Sequence, residues 1–212
     1  MVTVLFGSID SYTDLGLFLT EFKRANPTPK RTLAKVPCRD GNLDLTYALS
    51  SEIHYENREL VLTFKAVDYS NDWETVFSNI SSQLHGKKMH VVFSNDPDWY
   101  WDCFVTVDPE SEYNVGTVEV ICDAYPYKRK DYYGSVSATS SGVPLAIQVT
   151  MQTVVPTITC ANAITVKPDS GATYSLAAGT HIDPGFKLTA GVHSLLIKGS
   201  GLVTVSFING RL

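Results

Sequence analysis

Long apolar runs are missing from this chain: none approaches the roughly 20 residues that a bilayer-spanning helix requires. The opening stretch Met1-Val2-Thr3-Val4-Leu5-Phe6-Gly7-Ser8 has neither the basic region nor the extended apolar core of a secretory signal. A soluble protein that is not conventionally secreted is expected. Charge is also scarce, 18% of residues against 44% hydrophobic, so many polar positions fall to Ser, Thr and Asn, a composition that favours β structure. The net charge of -5 omits the electrostatic footprint of a nucleic-acid binder, leaving only local basic pairs such as Arg129 and Lys130. Cysteines number four, Cys38, Cys103, Cys122 and Cys160, with no CxxC pair and no histidine at metal-site spacing. They read as reduced, small hydrophobes, although Cys103 and Cys122 sit on runs that would be neighbouring strands, where a bridge is geometrically conceivable.

Catalytic signatures are equally absent. There is no GxSxG elbow, no phosphate-cradling GxxxxGK[ST], no GxGxxG and no HExxH, and the five histidines, His54, His85, His90, His181 and His193, are scattered. No catalytic residue, metal or cofactor is expected. Asp96, Asp98 and Asp102 form the densest carboxylate group and could be read as a calcium loop or, through Asp96 and Asp102, as a glycosidase pair. Pro97 and three adjoining aromatics crowd that segment, which favours a solvated turn. Asn79-Ile80-Ser81 matches a glycosylation acceptor but falls inside a helical pattern.

What the chain does contain is clearest from Trp73 to Cys103. Trp73, Val76, Phe77, Ile80 and Leu84 make one apolar stripe at helical spacing, with Asn71 and Asp72 available as caps, so Trp73 to His85 is predicted as an amphipathic helix. Gly86 stands where a left-handed stop is needed. Met89, Val91 and Phe93 then alternate as a strand before the turn Asn95-Asp96-Pro97-Asp98. Trp99, Tyr100 and Trp101 follow. Consecutive strand residues point to opposite faces, so at least one aromatic serves the core and another is a candidate interface residue.

Elsewhere Val2, Val4 and Phe6 alternate, Leu15 to Phe22 is an apolar run that periodicity leaves open between strand and short helix, and Asn26-Pro27-Thr28-Pro29 breaks any helix. Val36-Pro37-Cys38-Arg39-Asp40-Gly41 is predicted as a loop with a tight turn at Gly41, Leu60 to Ala66 as a strand, and Phe104 to Val107 and Thr117 to Ala124 as strands around a polar connection, Asp108 to Gly116. Beyond Lys130 charge thins out and turn signals recur about every ten residues, including Gly142-Val143-Pro144, Pro184-Gly185 and Asn209-Gly210. The division expected is residues 1–130 and 131–212, the second all-β. Within it, His193 to Lys198 and Leu202 to Phe207, joined by Gly199-Ser200-Gly201, are predicted to form a hairpin.

Four blocks at compatible spacing resemble the distal tail proteins of long-tailed phages and prophages of Gram-positive bacteria. They are Val36 to Leu45, similar to a Pro-Gly-Arg-Asp-Gly element leading into Leu-Asp; Tyr55 to Phe64 with Asn57-Arg58; Leu84-His85-Gly86-Lys87 with its strand; and Ala124-Tyr125-Pro126-Tyr127-Lys128. The sequence departs from that pattern at Cys38, where the family commonly has Gly, and at Asp102-Cys103, in place of Gly-Arg. The resemblance implies a mainly β fold: an N-terminal sandwich or split-barrel-like ring-forming domain with one helix, then a galectin-like or carbohydrate-module-like sandwich. It implies a homohexameric ring at the virion tail tip, made in the host cytoplasm, joining the tail tube protein to tail tip or fibre proteins and leaving a lumen for DNA. Arg39, Asp40, Gly41 and Arg58, with Trp99, Tyr100 and Trp101, are then candidate structural organisers or ring contacts, and the acidic turn and the basic residues Lys87, Lys88, Arg129 and Lys130 could supply complementary patches. The alternative is a carbohydrate-binding module for cell-surface saccharide, using Trp99, Tyr174 and Phe186.

Overall fold

Alternating burial dictates most of the architecture. The computed structural model describes residues 2–49, 52–67, 72–108 and 116–212, and the chain divides into two compact units, Met1–Lys128 and Arg129–Leu212. The protein is mainly β. Unit 1 contains β1 (Val4–Phe6), β2 (Ile9–Asp10), β3 (Leu17–Arg24), β4 (Leu33–Lys35), β5 (Asn42–Asp44), α1 (Thr46–Leu49), β6 (Arg58–Ala66), α2 (Trp73–Leu84), β7 (Lys87–Phe93), β8 (Tyr100–Asp108) and β9 (Thr117–Ala124). Seven of these strands pair antiparallel in the order β2-β1-β7-β8-β9-β6-β3.

On β6, β8 and β9 every second residue is buried, and Leu60, Leu62, Phe64, Trp101, Val105, Val118 and Val120 share one core with Ile80 and Leu84 of α2. Trp73, Val76 and Phe77 pack half-buried against it. The helix therefore lies where its apolar stripe places it. Its start differs from expectation: the Asp72 carboxylate makes no bond to a helix N–H and instead accepts from the Thr75 hydroxyl at 3.0 Å, while Asn71 lies outside the described residues, as does 109–115 of the polar connection. Its end is closed by Gly86 at φ +73° and by the Lys87 ammonium, which donates to the carbonyls of Ser82 and Gln83 at 2.9 and 2.7 Å.

The ambiguous run Leu15 to Phe22 is strand, β3, with a bulge between Leu19 and Glu21 that brings Phe22 against Phe93, ring centroids 4.7 Å apart. The element Val36 to Gly41 is the expected loop, with Gly41 at φ +71°, and the short strands β4 and β5 that flank it pair as a separate hairpin. A short second helix, α1, follows.

Unit 2 is a two-layer sandwich. It contains β10 (Lys128–Ala138), β11 (Val143–Val149), β12 (Thr157–Cys160), β13 (Ile164–Lys167), β14 (Tyr174–Leu176), β15 (Gly179–Ile182), β16 (Gly191–Gly199) and β17 (Gly201–Arg211). One layer runs β15-β12-β17-β10 and the other β11-β16-β13-β14. Ile147, Ile164, Val166, Leu195 and Ile197 from the second layer meet Ile158, Val203, Val205 and Phe207 from the first.

Two expectations in this unit are overturned. The strands flanking Gly199-Ser200-Gly201 form no hairpin: β16 pairs with β11 and β13, whereas β17 pairs with β12, so the chain turns a corner from one layer to the other. Both alternate with the same period, and alternation cannot distinguish strands that pair from strands that face each other. Asn209-Gly210 is likewise no turn but part of β17. The buried Asn209 amide accepts from the N–H and hydroxyl of Thr150 at 2.9 Å each and donates to the Gln148 carbonyl at 2.9 Å, which consumes the side chain that would otherwise drive a turn.

At the corner, Gly199 holds φ +142°, and a Cβ there would stand 2.9 Å from the Ala163 carbonyl oxygen and 2.9 Å from Ile164 Cγ2. Gly179 has φ +130° with open space around it. Gly199→Ala is expected to lower the unfolding free energy by about 2–4 kcal/mol, from strain plus overlap, against about 1–2 kcal/mol for Gly179→Ala, from strain alone. Urea denaturation of both variants checks this; equal losses would contradict the clash.

Candidate assembly site

Between β3 and β6 the chain leaves the sheet as an arm, residues 25–57, whose described residues are exposed or half-exposed apart from Pro27. Pro27 and Pro29 at its root exclude a helix there, and the two legs pair briefly: Lys30 N–H donates to the His54 carbonyl and Glu56 N–H to that of Thr28, both at 2.8 Å. Further out, β4 and β5 hold each other, and the Arg31 guanidinium meets the Asp44 carboxylate at 2.6 Å. The Thr46 hydroxyl and then Arg31 pull the Asp44 carboxyl down to about 2. Arg39, Asp40 and Gly41 lie exposed at the tip. Gly41 has φ +71°, and Cys38 has φ +61°, the left-handed conformation that glycine adopts freely.

The root of the arm is fixed by Arg58, the first residue of β6 and 3% exposed. Its Nε donates to the Ala25 carbonyl at 2.9 Å and Nη2 to the same oxygen at 2.5 Å, while Nη1 donates to the Pro126 carbonyl at 3.3 Å. The guanidinium stands 5.2 Å from the centre of the Trp101 ring. Burial, then the neighbouring Arg24, pushes its pKa down, but a guanidinium keeps its charge. A second buried cation lies nearby: Lys128 pairs with Asp96 at 2.6 Å and sits 5.7 Å from the Phe93 ring centre. Burial, reinforced by Arg24, brings Lys128 down to about 8. Tyr55 from the returning leg meets Tyr127 edge-on at 5.9 Å, and Tyr127 contacts Tyr125 at 6.1 Å.

The three consecutive aromatics divide by face. Trp101 is in the core, Tyr100 stacks on His90 at 4.3 Å, and Trp99 is half-buried at the turn with its N–H donating to the Asp96 carbonyl at 3.3 Å. The carboxylates of this segment serve separate cations, Asp96 with Lys128 and Asp102 with Lys88 at 3.5 Å. Among the described residues no group of His, Cys, Asp and Glu is arranged to hold a metal ion. Cys103 and Cys122 are free and buried, and the Cys122 thiol together with burial pushes Cys103 upward. In unit 2, Tyr174 meets the buried Phe186 edge-on at 4.8 Å and donates its hydroxyl to the Gly185 carbonyl at 3.2 Å.

The structure therefore groups Arg58 with Trp101 and leaves Arg39, Asp40 and Gly41 on the free end of the arm. Sequence reasoning passed over the ion pair of Lys128 with Asp96 and the role of Ala25. Only a lysine among tyrosines, in Tyr125-Pro126-Tyr127-Lys128, hinted at a buried cation.

No family model matches the sequence, and no curated protein matches it. Among solved structures, the crystal structure of the SPP1 Dit protein (gp 19.1), described as a paradigm of the hub adsorption apparatus in phages infecting Gram-positive bacteria, aligns with a TM-score of 0.68 over 100% of both chains at 15% sequence identity. The chain shares that protein's fold from end to end.

Arg58→Lys keeps a charge but loses the fork that serves both carbonyls, and is expected to cost about 2–4 kcal/mol in urea denaturation, whereas Arg39→Ala at the tip stays within about 0.5 kcal/mol. Equal effects would remove Arg58 from its central place. Cys38→Gly relieves the left-handed strain and is expected to hold or raise the melting temperature, by up to about 1 kcal/mol in stability; a clear drop would contradict the assigned turn.

Proposed function

We propose that the chain is a structural subunit of a phage tail, of the distal tail type: six copies close into a ring at the tail tip, joining the tail tube to tip or fibre proteins and leaving a channel for DNA. The observation that carries this reading is the fold likeness to the SPP1 Dit protein across the full length of both chains. The arm supports it. A closed ring needs two different complementary surfaces on each subunit, and residues 25–57 offer one, anchored at its root by Arg58 and exposed or half-exposed at its described residues apart from Pro27. A chain with net charge -5 also suits a channel wall that must not trap phosphate. In this reading surfaces rather than a reactive pocket do the biological work, after synthesis in the host cytoplasm. The saccharide-binding alternative has less support, because Tyr174 and Phe186 turn their rings on each other and Phe186 is buried.

Solution mass and negative-stain microscopy of the purified protein test the reading. Six copies of the 23.3 kDa chain give a particle of about 140 kDa with a central hole. A monomer at all concentrations, together with absence of the polypeptide from purified tail tips, would overturn it.

A further inference from the structure

Three cations from three segments gather where the arm joins unit 1: Arg24, the last residue of β3, Arg58, the first of β6, and Lys128, the first of β10. Arg58 bonds the carbonyl of Ala25, the residue after Arg24, and that of Pro126, two residues before Lys128. Lys128 in turn lies over the ring of Phe93, whose centre is 4.7 Å from that of Phe22, two residues before Arg24. Arg24 stands opposite Leu60 in the register of β3 with β6, and residues opposed in this way share a face of the sheet. It is therefore on the side that Leu60 and Leu62 turn to the core, at the margin where the side chain is exposed.

These three positive charges share one carboxylate. Arg58 spends its donors on the two carbonyls, and Lys128 pairs with Asp96 at 2.6 Å. Arg24 has no hydrogen-bond or ion-pair partner among the described residues. The carboxylates closest to it and to Arg58 along the chain are engaged or turned away: Glu21 pairs with Lys23, and Glu59 alternates with the buried Arg58 and Leu60, so it faces the other side of the sheet. Crowding is felt at the buried members, since burial and then Arg24 push Arg58 down and bring Lys128 to about 8. Phe22 and Phe93 set apolar surface beside the charges, which strengthens their field. A guanidinium with its fork free is the side chain that takes a carboxylate or a phosphate by two parallel bonds.

We propose that Arg24, backed by the charges of Arg58 and Lys128, forms a binding site for an oxyanion, a carboxylate or phosphate group. Arg24 makes the direct contact, because its fork is free. Arg58 and Lys128, already held by carbonyls and by Asp96, act through their charge. The site lies within one unit of one chain, so it needs no second copy and does not depend on the ring. A bound anion brings the second negative charge that the three cations lack and favours the charged form of Lys128. The Lys128 ammonium therefore reports on occupancy: it titrates higher when the site is filled.

NMR titration of Lys128 in the full chain provides the test, with inorganic phosphate and acetate as probes and chloride at matched ionic strength as the reference. In the wild-type protein at least one probe should shift the Lys128 titration upward from about 8, saturably and beyond the effect of chloride. A response to phosphate alone identifies a phosphate ligand, to acetate alone a carboxylate, and to both a site open to either. Arg24→Gln, at an exposed position, should itself raise the Lys128 titration by removing a neighbouring cation, and should raise the probe concentration at half-saturation by at least about tenfold. Lys35→Gln, an exposed cation on β4, should leave both readings as in the wild type. Circular dichroism melts establish that both variants are folded. If neither probe acts on the wild-type protein beyond chloride, or if Arg24→Gln responds to the probe as the wild type does, the site is overturned.

Discussion

Arg58 is the constraint on which the rest of unit 1 depends. A buried cation is tolerated only when its donors are satisfied, and this guanidinium satisfies them on backbone carbonyls 33 and 68 residues away, at Ala25 and Pro126, while lying over Trp101. One side chain thereby ties together the point where the arm leaves the sheet and the segment that follows β9, over the Trp101 ring that the alternation of β8 turns inward. Lys128 repeats the device on the neighbouring aromatics, with Asp96 as its partner. The arm that results is anchored at its base by Arg58 and exposed at its tip, at Arg39, Asp40 and Gly41.

The two units use alternation differently. In unit 1 one antiparallel sheet curls back on itself, bringing Phe6 of β1 against Phe64 of β6 and Phe22 of β3 against Phe93 of β7, with α2 packed on the same core. In unit 2 the second layer is another sheet, and both inner faces are consumed by one core. The arm of unit 1 carries four cations, Lys30, Arg31, Lys35 and Arg39, balanced by four carboxylates, Asp40, Asp44, Glu52 and Glu56.

Much of this was legible in the sequence wherever the signal was local. The stripe from Trp73 to Leu84, the stop at Gly86 and the alternation from Leu60 to Ala66 each depend on neighbours within a few residues, and the mainly β fold followed from composition and period. What depended on distant partners was not legible. Arg58 looked equally suited to the surface, because its burial is decided by carbonyls far along the chain. Gly199-Ser200-Gly201 mimicked a hairpin because turn chemistry marks a change of direction without saying which sheet the next strand joins. Asn209 looked like a turn residue until its amide found Thr150 and Gln148. The resemblance carried by Val36 to Leu45 located the arm but not its paired strands, since β4 and β5 are three residues each and too short to show a period.

The most direct measurement is a cryo-electron microscopy map of the assembled tail tip. It should show six copies of this chain closing around an open axis, with Arg58 buried at the root of each arm. A tail tip lacking the chain, or copies of it that do not close around an axis, would contradict the account.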